Sequence, residues 1–139
     1  MAEMTPIVKE WYDRLEAGEL RGLRCGACGR YEFPPVPICN GCGSTDLDWV
    51  EMSGDAELIS FSYAYIGIPP FVKGGVLYAH IKLAEGPVFV SWIPEVKPED
   101  QEALLARLPA PVTAEILEVD PENHVFWPVF HLKDTVEAA

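Results

Sequence analysis

The chain has 139 residues, 49% hydrophobic and 23% charged, enough to bury one core or two small lobes. Acidic side chains outnumber basic ones 22 to 10, for a net charge of −12, which repels phosphate backbones and argues against a nucleic-acid partner. No apolar run is long enough to cross a bilayer, and the start lacks a basic segment followed by an apolar one. The expectation is a cytoplasmic protein with no membrane partner.

In chain order, Thr5 followed by Pro6 reads as a helix start and Gly18 as its stop, which predicts an amphipathic helix over residues 6–17. Ile7, Trp11 and Leu15 recur every four residues, flanked by Val8 and Tyr12. A lone helix of this length is marginal, so its aromatic face needs a dock, either the body of the chain or a partner. Trp11, Tyr12 and Leu15 are the candidate partner-docking residues.

Residues 20–52 hold all four cysteines, in two C-x-x-C-G knuckles: Cys25 and Cys28, then Cys39 and Cys42. This spacing brings four thiolates together in a tetrahedron and predicts a metal site, with zinc favoured over iron. Gly29 and Gly43 follow the second cysteine of each knuckle, where the backbone needs positive φ. Four sulfur ligands fill the site, so it reads as structural and leaves no cysteine free to act as a nucleophile. Short extended pieces are expected around Leu23 and Phe33, with a strand near 47–52. Arg21, Arg24 and Arg30 make this the only locally basic stretch.

From residue 53 the pattern changes to strands, predicted at 56–66, 76–84, 87–93, 112–119 and 124–132, with a short helix near 98–107. Five strands with a helix between the third and fourth is the order of an OB-type barrel. The expected organisation is therefore mainly β: an N-terminal helix (1–19), a rubredoxin-like zinc ribbon (20–52) and a C-terminal OB-fold domain (53–139). His80, His124 and His131 all fall on predicted strands, spaced too far apart to share a local motif. The loop "IGIPPFVKGG" places Phe71 beside Lys73, an apolar tip with one positive charge, and both are candidate ligand-binding residues.

"CGACG", "FPPVPIC", "NGCGS" and "LDWVEMSGDAELISFSYAY" together resemble the family that joins a rubredoxin-like zinc ribbon to an OB-fold. Its members are accessory subunits of thiolase-superfamily enzymes acting on acyl-coenzyme A. The resemblance covers essentially the whole chain and is strongest over residues 25–63. It implies that Cys25, Cys28, Cys39 and Cys42 take the family's metal positions. It further implies a thiolase-like catalytic subunit as partner, supplying the reactive residues, with a coenzyme A thioester bound at or near the interface. Roles in the family include archaeal thiolase complexes, steroid side-chain retro-aldolases, phloroglucinol acetyltransferases and benzoylsuccinyl-coenzyme A thiolase. The expected function is a non-catalytic subunit assisting assembly and acyl-coenzyme A binding in thiolytic, retro-Claisen cleavage of an aromatic or dicarboxylic acyl group. A subunit of a C-acyltransferase or steroid-type retro-aldolase is the alternative. A nucleic-acid module, or a free-standing enzyme using one of the histidines, belongs to other classes. The stretches "GIPPFVKGGVLYAH" and "FVSWIPEV" depart from the commonest family pattern.

Overall fold

The structure, a computed structural model, describes residues 5–65 and 75–133. Helix α1 (Pro6–Glu16) starts on Pro6, as its fixed φ favours, and ends at Gly18 with φ 84°. There the Gly18 amide donates to the Leu15 carbonyl and the Glu19 amide to that of Arg14, which satisfies two carbonyls the helix leaves open. Trp11 and Leu15 are buried, and the Trp11 indole donates to the Arg21 carbonyl at 3.1 Å. Of the two docks open to the helix, this structure uses the body of the chain.

A small antiparallel sheet follows, in the order β2 (Tyr31–Glu32), β1 (Arg21–Cys25), β3 (Leu47–Glu51). It carries the cysteine knuckles at one end. The second sheet is larger and runs β6 (Val88–Trp92), β5 (Val76–Leu83), β4 (Asp55–Ala64), β7 (Ala110–Asp120), β8 (Val125–Leu132), antiparallel throughout. A 3₁₀ turn (Pro98–Asp100) and the short helix α2 (Gln101–Leu105) sit between β6 and β7. Numbered from β4, the sheet order is 3-2-1-4-5. The two outer strands meet where the buried Ser91 hydroxyl donates to the Pro128 carbonyl at 2.7 Å. That seam makes the sheet a nearly closed barrel of the expected OB type. Pro128 has no amide to donate and stands on an outer strand, where none is required.

Two details differ from the alternation read in the sequence. The period-2 pattern over 56–66 puts Leu58 on one face with Ser60 and Ser62. The β4–β5 register instead shifts between Leu58 and Ser60, so Ile59 is an extra residue at a bulge. Leu58 is fully buried, Ile59 is exposed, and Ser60 and Ser62 face solvent. His124 lies not on a strand but in the β7–β8 turn, at φ 54°. Histidine is among the residues that tolerate this left-handed conformation.

The core is continuous. Trp11 and Leu15 of α1, Phe33 after β2 and Met52 after β3 belong to the same buried cluster as Leu58, Leu77, Ile81, Phe89, Ile93, Val112 and Phe130 of the barrel. Ring contacts carry it across the elements: Phe33 meets Trp11 at 5.6 Å and Phe89 at 4.9 Å between centroids.

Candidate metal centre

Each knuckle is a turn closed by its own backbone. The Gly29 amide donates to the Cys25 carbonyl and the Gly43 amide to the Cys39 carbonyl, both at 2.9 Å. Gly29 and Gly43 sit at φ 81° and 78°, where a side chain would be strained. Strand β1 delivers Cys25 and the turn after it Cys28, while the second knuckle hangs from the proline-stiffened connection between β2 and β3.

The four sulfurs converge, all within 4.8 Å of one another. Cys25 Sγ lies 3.6 Å from Cys42 Sγ, and Cys28 Sγ lies 3.6 Å from Cys39 Sγ. A tetrahedral zinc at about 2.3 Å from each sulfur requires sulfur–sulfur edges of about 3.8 Å, so the donor set fits the ion in both number and spacing. The close pairs link the first knuckle to the second, as a shared ion requires and as a disulfide within either knuckle would not. The Gly41 amide also donates to Cys39 Sγ at 3.3 Å.

The backbone prepares the sulfurs unequally. The Cys28 amide donates toward Cys25 and is the main reason that its thiol falls to about 6. Cys42 receives the Ser44 amide, which pulls the same way, but its bonds with the other three cysteines, Cys25 foremost, together with desolvation prevail and push it up to about 12. Metal binding at such a site releases whatever protons its thiols hold.

Next to the sulfurs stands a group the sequence does not single out. Glu32 is a carboxylate only 4% exposed. Its Oε1 accepts from Arg30 Nε at 2.8 Å and its Oε2 from Asn40 Nδ2 at 2.8 Å. Arg30 follows the first knuckle and Asn40 lies inside the second. The only sequence signal is an acid set between the apolar rings of Tyr31 and Phe33, where an unpaired charge would be costly.

The other candidates do not join this centre. His80 bonds Ser60 Oγ at 2.9 Å on the outer face of the barrel. His124 pairs with Glu118 at 3.2 Å, and His131 lies between Glu95 and Glu115. Trp11 and Leu15 are internal packing residues, so they offer no free surface to a partner. Tyr12 remains partly exposed beside Trp11 and Trp127. Phe71 and Lys73 lie outside the described residues. Among the described residues, no helix is long and apolar enough to cross a membrane.

Residues 13–48, with all four cysteines, match the family described as the ChsH2 rubredoxin-like zinc ribbon domain. A DUF35 domain-containing scaffold protein of Pyrococcus furiosus is 28% identical over 133 residues, covering 91% of this chain and 92% of that one. A chain of the solved Ltp2-ChsH2(DUF35) aldolase superposes with a TM-score of 0.76 at 27% identity, covering 95% of this chain and 98% of the other. The chain carries a zinc ribbon of this kind and is similar over nearly its whole length to DUF35 proteins. Two further relatives are partial matches. A probable enoyl-CoA hydratase alpha subunit of Thermomonospora curvata is 32% identical over 120 residues, 86% of this chain but 35% of the relative. The benzoylsuccinyl-CoA thiolase subunit BbsA of Thauera aromatica is 38% identical over 48 residues, 34% of this chain and 33% of the relative. Each of these two matches thus spans about a third of the relative's length.

Proposed function

We propose that this chain is the non-catalytic, zinc-binding subunit of a thiolase-superfamily enzyme acting on an acyl-coenzyme A. The observation that carries the reading is the convergence of all four cysteines on one tetrahedron, which leaves the chain without a thiol for acyl transfer. Cys25, Cys28, Cys39 and Cys42 would hold the zinc, and the bound ion supplies folding energy to a lobe with little apolar core. The chain's own residues then present a rigid surface: Phe33 and Trp11 fix the ribbon and helix on the barrel. The catalytic partner supplies nucleophile and base, and the coenzyme A thioester binds at or near the contact between the chains. Thiolytic cleavage of an aromatic or dicarboxylic acyl-coenzyme A is the reaction we favour. The likeness to a chain of the Ltp2-ChsH2(DUF35) aldolase supports a retro-aldol role as the second reading.

The test is co-expression with a thiolase-like protein encoded beside this chain. The expected result is a stable complex with acyl-coenzyme A cleavage activity, and no turnover by this chain alone. Cleavage that requires free coenzyme A supports thiolysis; cleavage without it supports the aldol reading. A monodisperse single chain that captures no thiolase-like protein, or that turns over the thioester unaided, overturns the subunit reading.

A further inference from the structure

The carboxylate of Glu32 connects the two halves of the metal clamp. One oxygen holds Arg30, two residues beyond Cys28, and the other holds Asn40, between Cys39 and Gly41. The stem of Arg30 passes close to the sulfurs. A methyl group placed on Gly41 would meet Arg30 Cδ at 2.9 Å, Cys39 Sγ at 3.6 Å and Cys28 Sγ at 3.7 Å.

The charges explain why a buried acid belongs here. Four thiolates around a divalent ion leave a net −2, which a positive group set near the sulfurs offsets locally even though Arg30 and Glu32 together sum to zero. Arg30 brings one positive charge to that cluster, and a flexible arginine would remain there only if something held it. Glu32 does so while tying the second knuckle through Asn40. Glu32 is almost wholly buried, and donors of this kind offset the cost of burying a carboxylate.

We propose that Arg30 is the counter-charge of the four-cysteine metal centre, and that Glu32 is a positioning residue that fixes Arg30 and braces the two knuckles against each other. The proposal rests on the reading of the four cysteines as a metal site.

The experiment uses the full chain loaded with zinc and, in parallel, with iron, which a four-cysteine site also accepts. Arg30→Gln and Glu32→Gln each weaken the brace, so both should speed zinc transfer to a chelator roughly ten-fold or more, as loss of such outer partners does elsewhere. Their iron forms should diverge. Loss of the arginine's positive charge should lower the iron midpoint potential, because the reduced site carries one more negative charge. Loss of the glutamate's negative charge should raise it. Arg30→Lys keeps the charge and should restore most of the wild-type potential. Shifts of the same sign in both glutamine variants, or no shift in either, overturn the counter-charge assignment. If Arg30→Gln does not fold, Glu32→Gln and Arg30→Lys decide the matter by the sign of the first and the rescue by the second. A wild-type chain that holds no metal removes the metal reading as well, so that failure is distinct from failure of the proposal alone.

Discussion

The Nδ1 atom of His131 lies 2.8 Å from Oε1 of Glu95, two residues that stand 36 apart in the sequence. The other ring nitrogen lies 2.8 Å from Glu115 Oε1, and the second oxygen of Glu95 accepts the Leu132 amide at 3.0 Å. A neutral imidazole can donate from only one nitrogen, so both contacts are hydrogen bonds only when the ring is charged. Burial lowers the pKa of His131, but the bonds and charges of Glu95 and Glu115 outweigh it, and the net shift is upward.

The sign of the pH dependence follows. A histidine whose folded pKa exceeds its unfolded value contributes stability that is fully present below about pH 6.5 and is lost as pH rises through the folded value. Thermal melts of wild type should therefore fall relative to His131→Gln as pH increases above about 6.5. The partners are partly exposed, so the difference is on the order of 1 kcal/mol or less. A wild-type minus variant difference that stays flat with pH would exclude this role for His131.

Replacing Cys25 or Cys42 by Ser should remove the metal. The expected wild-type content is about one zinc per chain by elemental analysis, falling to a small fraction in either variant. Since binding energy at such a site is folding energy, loss of zinc should cost several kcal/mol, with hydrogen-exchange protection lost first over β1–β3. Retained stoichiometric zinc in Cys42→Ser would show that three sulfurs suffice.

Trp11 is the anchor of α1, packed edge-on against Phe33 and Trp127. Trp11→Ala should cost about 3–5 kcal/mol, the range for deleting a buried aromatic ring. Chemical denaturation measures it, and proteolysis within residues 5–18 should accelerate in parallel. A loss below about 1 kcal/mol would mean the helix adds little to the core.

Ser91 ties the barrel seam with a buried hydrogen bond to the Pro128 carbonyl. Ser91→Ala leaves that carbonyl without its donor and should cost about 1–3 kcal/mol. Amide exchange should increase along β6 and β8 more than along β4. Uniform destabilisation without that local signature would place the closure of the barrel elsewhere.

Much of this was legible in the residues because it is written in local spacing. The cysteine pairs and the glycines behind them announce the knuckles, and the turns around Gly86 and Pro121 separate strands whose limits agree with the sequence reading to within about two residues. The bulge at Ile59 was not legible, since an inserted residue among Leu, Ile, Ser and Phe leaves the apolar alternation looking intact. The docking of Trp11 could not be decided, because an amphipathic face has the same sequence whether it meets its own barrel or another chain. Glu32 and Glu95 were missed for a shared reason. Each acts through partners that only folding brings near: Asn40 across the knuckles for one, His131 across the barrel for the other.

The placement of the tryptophans has an optical consequence. Trp11 on α1, Trp127 on β8 and Trp92 on β6 form a chain of rings, with centroids 5.6 Å apart at 87° and then 6.4 Å apart at 5°. Indoles this close couple through their strong far-ultraviolet transitions, so far-ultraviolet circular dichroism should carry an exciton signature of the assembled fold. Lifting the helix would break the perpendicular pair, and opening the seam would break the parallel one. The chain therefore contains an unlabelled gauge, and a titration with a partner would show which of the two joints moves.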